Sequence, residues 1–187
     1  MPQSNVTTWL EFAMQQMAAE SYFQGITDLN DPLLVKPRLI SGNNPPGFGS
    51  NNYTRFTDQL ADRFLDTYEI VDQHTNDASG FSATLLKNKD TVQYTLSFRS
   101  TEYKNSDEGG DYERDGANFP SFTGADGEIL TSGFAFGQLA AMEDYYAQLK
   151  ASGTLPTGAV LNVTGYSLGG HLATVFTELH ATEIQHA

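Results

Sequence analysis

"VTGYSLGGHLA", residues 163–173, decides how this chain is read. A serine stands between two glycines in Gly165-Tyr166-Ser167-Leu168-Gly169, with Gly170 and His171 directly behind. At average glycine and serine usage the bare G-x-S-x-G pattern turns up by chance in roughly one chain of this size in fifteen. Its surroundings therefore carry the weight. The apolar run AVLNVT (159–164) enters it and reads as a short strand, and LGGHLATVFTELH leaves it and reads as a helix from about 168 to 185. A strand turning sharply into a helix around a serine is the setting of a nucleophile elbow. The glycines are needed because side chains there would collide with the neighbouring strand or helix. The helix N-terminus favours developing negative charge, and the amide after the serine can donate to an oxyanion.

Upstream, Val6, Leu10, Ala13, Met14 and Met17 recur at helical spacing, and Trp9 widens the apolar face, so 5–24 reads as a helix whose Met and Trp side chains pack inward. Residues 25–54 read as loop, because SGNNPPGFGSNN (41–52) is dense in structure breakers. A second helix is expected over 57–66 and a short strand at YEIV (68–71). GFSATLL (80–86) and TVQYTLSFR (91–99) alternate apolar and polar residues around KNKD, which predicts a hairpin. Residues 100–127 read as one long loop, and a helix is expected from Ser132 to about Ser152, ended by Gly153. Strands followed by a helix–strand–helix unit argue for an α/β fold with some parallel pairing, in a single domain over 1–187.

The balance of 10 basic against 23 acidic residues, a formal charge of −13, excludes nucleic acid as a natural partner and disfavours anionic membranes, while neutral esters remain open. With no cysteine, disulfides, thiolate metal sites and a cysteine nucleophile are excluded. That composition suits bacterial secretion as well as the cytosol. The start, MPQSNVTTWLEF, lacks the basic and long apolar regions of a signal peptide.

The elbow resembles that of α/β-hydrolase lipases, especially the class 3 lipases, whose usual form is GHSLGG. Here Tyr166 stands at the histidine position. LSFRST (96–101) is similar to the family's FRGT strand end, and LTSGF (130–134) to its HxGF segment, in matching order over about 80–185. The phrasing around SFRSTEY looks most like large bacterial secreted lipases. The resemblance implies an α/β-hydrolase fold, a central mostly parallel sheet flanked by helices. It implies Ser167 as the acyl-accepting nucleophile of a serine ester hydrolase, acting on acylglycerol or related lipid esters at a lipid–water interface, with no required cofactor. Gly165, Gly169 and Gly170 would shape the elbow, Leu168 would give one oxyanion amide and Thr101 the second. Ser100 stands where the family has glycine. A phospholipase A1 or acyltransferase could use the same serine.

A serine hydroxyl needs a base and an acid. After Ser167 come only Glu178, Glu183, His171, His180 and His186, on or beyond the helix leaving the elbow, and His74 precedes it. The sequence therefore reads as the N-terminal part of a hydrolase, its sheet incomplete and its acid and histidine beyond residue 187. A structural or lipid-binding module that merely keeps the elbow is the alternative. Asp107, Glu108, Asp111, Glu113 and Asp115 could offer oxygens to calcium but lack an EF-hand spacing. With Phe119 and Phe122 the same segment, 105–125, could form a lid.

Overall fold

The computed structural model describes residues 5–43, 54–108, 110–116 and 123–187. Three helices open the chain, α1 (Asn5–Ala19), α2 (Pro32–Ser41) and α3 (Asp58–Thr67), followed by strands β1 (Tyr68–His74), β2 (Ala83–Asn88) and β3 (Tyr94–Phe98). A short 3-10 turn and helices α4 (Tyr112–Asp115), α5 (Gly124–Ser132) and α6 (Phe136–Ser152) lead to β4 (Leu161–Gly165), α7 (Leu168–Leu179) and β5 (Ile184–His186). The strands lie side by side in chain order. β1, β2 and β3 form an antiparallel meander, with the expected hairpin between β2 and β3. β3, β4 and β5 run parallel, so parallel pairing is confined to the C-terminal half, where helices make the crossovers that parallel strands require. Among the described residues no helix is long and apolar enough to cross a membrane.

Side-chain alternation divides the core into two layers. Leu85, Leu96, Phe98 and Val163 pack against Met142, Tyr145 and Tyr146 of α6 and Leu172 and Phe176 of α7. Leu86, Ile70 and Tyr68 turn the other way, onto Met14 and Ala18 of α1, Val35 and Leu39 of α2, and Phe64 of α3. In β3, however, the residues between the apolar ones are Thr95 and Ser97, and β4 adds Asn162, all buried. That face of the sheet is polar, and α1 meets it with Gln15, Gln16 and Glu20, also buried. Ser97 Oγ donates to Gln16 Oε1 at 2.8 Å, and Gln16 Nε2 donates to the Phe98 carbonyl at 2.9 Å. Buried polar groups need such partners to offset their desolvation.

This polar seam corrects the reading of α1. Its apolar residues do not form one inward stripe, because half of its buried face is committed to polar contacts. Met14 is buried, but Trp9 is 67% exposed, and Val6 and Leu10 are exposed beside it. Four further expectations change. The span 25–54 contains α2, begun by Asp31, whose carboxylate accepts the Leu33 amide, and by Pro32 at the first helical position; residues 44–53 lie outside the described ones. The loop 100–127 is broken by the 3-10 turn, by α4 and by the start of α5; residue 109 and residues 117–122, which include Phe119 and Phe122 of the supposed lid, lie outside the description. Ser132 ends α5 rather than starting the next helix, since Gly133 closes α5 at φ 87° and α6 begins at Phe136. The last helix stops at Leu179, and 184–186 form β5, held by pairing of Ile184 to Leu161 and His186 to Asn162.

Candidate active site

The elbow is built where β3 and β4 end side by side, with Phe98 opposite Gly165 in parallel register. Ligands of open α/β sheets collect at these carboxyl ends. Ser167 follows β4 by two residues with φ 53° and ψ −122°, a conformation a non-glycine residue holds at a cost of about 1–3 kcal/mol. Its side chain does not cap α7, although it occupies the N-cap position, so Oγ is left at an exposed helix N-terminus. The flanking glycines are sterically forced. A β-carbon on Gly165 would lie 2.0 Å from the Gly169 carbonyl oxygen, and one on Gly169 would lie 2.3 Å from that of Phe98. Gly170 differs: its nearest neighbour would be an ordinary 3.5 Å contact.

Thr101 sits three residues past the end of β3, in a run whose backbone is pinned on both sides. The Arg99 amide donates to the Ser82 carbonyl at 3.1 Å, the Ser100 amide to Glu20 Oε1 at 3.0 Å, and the Glu102 amide to Asp115 Oδ2 at 2.7 Å. Among the described residues, the Thr101 amide is the one in this run without an acceptor, and the Leu168 amide takes no backbone acceptor either. Thr101 Oγ1 donates to the Asp126 carboxylate at 3.1–3.2 Å, in the first turn of α5. α5 leans on the elbow through Ala125 and Ile129, which pack with Ala135 against Leu168. Arg99 is buried beneath the run. Its Nε and Nη2 donate to the carbonyls of Ala19 and Ser21, and Nη1 pairs with Glu102 at 2.9 Å.

Glu20 and Asp126 carry no signal in the sequence, and Asp115 stands out there only as one of an acidic run, because each contacts this segment from another stretch of chain. No local pattern marks such a partner.

No described histidine serves Ser167. His171 makes no hydrogen bond to the serine; its Nε2 accepts the Ala135 amide at 3.4 Å and its ring meets Phe134, and burial makes it less basic than usual. His180 bonds Glu143 at 3.0 Å and Glu183 at 3.3 Å, at the far end of α7. His74 packs between Phe81 and Tyr145. His186 pairs with Asn162, at the opposite end of β4 from the elbow. Glu178 makes no contact with the serine, and Glu183 is held by Lys150, Tyr146 and His180.

The acidic segment is put to structural use. Asp111 is fully buried and ion-pairs with Arg114, and Asp115 accepts from the Glu102 amide and Gln138 Nε2. Among the described residues no three His, Asp or Glu side chains are grouped to hold a metal ion, calcium included. Burial pushes the Asp115 carboxyl up to about 8, helped by the nearby charges of Glu102 and Asp111. The sign follows. Between the ordinary carboxyl range near 4 and about 8, the folded chain holds this proton and the unfolded chain does not, so stability falls as pH rises through that window and then levels. Thermal melts of the wild type from pH 5 to 9 should lose on the order of a few kcal/mol through this group. Asp115→Asn should flatten that slope, and equal slopes in the two proteins would show the group to be inert.

A groove of about 330 Å³ opens beside the elbow, with Phe12, Ala13 and Met17 of α1 as its apolar wall, Gln16, Glu20 and Thr54 as its polar lining, and Thr164, Gly165 and Tyr166 on the elbow side. Tyr166 is exposed next to Ser167, and Leu130, Phe134 and Phe136 are exposed along α5 and the start of α6.

No family model matches this chain, and no curated protein does. Among solved structures, lipase II from Rhizopus niveus superposes on 98% of this chain and 62% of its own, with a TM-score of 0.50 and 15% identity. A Rhizomucor miehei triacylglyceride lipase covers the same shares at a TM-score of 0.40 and 11% identity. The chain thus spans a little under two thirds of the length of the lipases it superposes on. At 15% identity the likeness to the Rhizopus niveus lipase speaks for the fold alone, a five-stranded mixed sheet flanked by helices.

Proposed function

We propose that this chain carries the nucleophile and oxyanion site of a serine carboxylic-ester hydrolase of the lipase type. The observation that carries the reading is Ser167 itself, a serine held at φ 53° on a strand-to-helix turn where a β-carbon on Gly165 or Gly169 would run into backbone oxygens. In the proposed reaction Ser167 Oγ attacks the ester carbonyl and its proton passes to a base. The tetrahedral oxyanion is received by the Leu168 and Thr101 amides, the alcohol leaves, and water releases the acyl group. Asp126 fixes the Thr101 hydroxyl as the hole forms. The apolar groove suits an acyl or alkyl chain, and the exposed Tyr166, Phe134 and Phe136 suit a neutral lipid–water interface. The acidic surface suits an enzyme acting outside the cell.

What the reading still requires is a proton acceptor for Ser167, since all four histidines are placed elsewhere. That same observation favours a second reading, a lipid-binding module that keeps the elbow without the chemistry. Labelling the protein with a fluorophosphonate and mapping the adduct by mass spectrometry separates the two. A single adduct on Ser167 is expected, together with hydrolysis of a short-chain p-nitrophenyl ester. A folded full-length protein that takes no label on Ser167, at any pH from 6 to 9, sinks the enzyme reading in favour of the module.

A further inference from the structure

Ser100 occupies a backbone position next to the candidate oxyanion amide and is held in a way its neighbours are not. Glu20, at the end of α1, is 3% exposed, and its carboxylate closes on Ser100 twice. Oε1 accepts the Ser100 amide at 3.0 Å, and Oε2 accepts the Ser100 hydroxyl at 2.8 Å. Oε1 also accepts Gln16 Nε2 at 2.7 Å, and Gln16 is anchored to β3 through Ser97 and the Phe98 carbonyl. Burial raises the Glu20 carboxyl above its usual range, and the nearby guanidinium of Arg99, itself paired with Glu102, offsets this only in part; Arg99 also ties the end of α1 to the same run through the Ala19 and Ser21 carbonyls. A buried carboxylate is tolerable only when its lone pairs are taken by such donors. Here two of the three donors come from one residue, so the contact fixes both the backbone and the rotamer of Ser100. With Arg99 bonded to Ser82 and Glu102 bonded to Asp115, the peptide that carries the Thr101 amide is held from both sides.

We propose that Glu20 is the positioning residue of the oxyanion loop, acting through Ser100 to aim the Thr101 amide. Glu20 lies among the residues lining the groove beside the elbow, and its proposed effect on the reacting atoms runs through Ser100. The inference rests on the ester-hydrolase reading for its catalytic consequence, but not for the clamp. A donor misplaced by a fraction of an ångström loses most of its value to a transition state, while substrate binding hardly notices.

The test has a structural arm and a catalytic arm. In ¹⁵N relaxation of the whole chain, the Thr101 amide should be rigid in the wild type, with an order parameter near ~0.85, and should fall toward ~0.6 in Ser100→Ala and further in Glu20→Ala. Glu20→Gln keeps an acceptor for the Ser100 amide and should stay close to the wild type. In ester hydrolysis kcat should fall about 10-fold in Ser100→Ala and about 100-fold in Glu20→Ala, with KM changing less than about 3-fold. The double variant should match Glu20→Ala alone, because the glutamate acts through the serine. Where Glu20→Ala does not fold, Ser100→Ala carries both arms. A Thr101 amide as rigid in folded Ser100→Ala as in the wild type overturns the clamp, whatever the kinetics. A wild type that hydrolyses no ester, yet shows the relaxation change, removes the hydrolase reading and leaves the clamp standing.

Discussion

Ser167→Ala is expected to reduce ester hydrolysis to background, a loss on the order of 10⁶-fold where the triad is complete, because the rest of such a constellation has nothing to activate once the nucleophile is gone. The same position should report its strain. At φ 53° and ψ −122° the serine holds a backbone that glycine adopts freely and that residues with a β-carbon do not. Ser167→Gly should therefore be equally inactive but more stable than the wild type by about 1–2 kcal/mol, or roughly 2–8 °C in melting temperature for a chain of this size. Ser167→Ala keeps the β-carbon and should melt near the wild type. Activity surviving in either variant rules out the proposed nucleophile. A Ser167→Gly protein that is less stable than Ser167→Ala shows that the turn is not strained.

The second large effect concerns the fold. Gly165→Ala and Gly169→Ala should each cost about 3 kcal/mol or more and should strip the protein of labelling at Ser167. The physical reason is that the obstructing atoms are backbone. A β-carbon at 165 meets the Gly169 carbonyl oxygen at 2.0 Å, and one at 169 meets the Phe98 oxygen at 2.3 Å and that of Arg99 at 2.8 Å. Neither can swing away as a side chain would, so β3, β4 and α7 must separate. Gly170→Ala is the internal control. With only a 3.5 Å contact to accommodate, it should gain about 0.5–1 kcal/mol from better helix propensity. Urea titrations of the three variants check the order. A Gly169→Ala protein as stable as Gly170→Ala would falsify the close approach of α7 to the end of β3.

The two sets of effects separate what this protein does locally from what it does by tertiary contact. The elbow was legible because its chemistry is local: the β4 strand, the turn and α7 are consecutive, and period and composition mark each of them. α3 was legible for the same reason. Thr57 Oγ1 caps it by accepting the Leu60 amide, three residues on. α2 is hard to read in the sequence because the glycine and proline density after it masks the Asp31–Pro32 start. β5 carries no signal of its own in three residues; it is a strand only because Leu161 and Asn162 lie alongside.

α1 shows the limit most clearly. Helical spacing identified an apolar stripe, yet periodicity cannot say what a helix will be laid against. The sheet under it presents Thr95, Ser97 and Asn162, so Gln15, Gln16 and Glu20 turn inward while Trp9 and Leu10 face out. By itself the sequence determined the strand–turn–helix around Ser167, the β2–β3 hairpin and the α/β class, since each follows from neighbours in the chain. Only the tertiary structure decided that Glu20 and Asp126, 80 and 25 residues from their partners Ser100 and Thr101, contact the candidate oxyanion loop, and that His171 takes the Ala135 amide as its partner. A hydrogen bond across such distances is set by how α1 and α5 pack on the sheet, and no pattern in the chain encodes it.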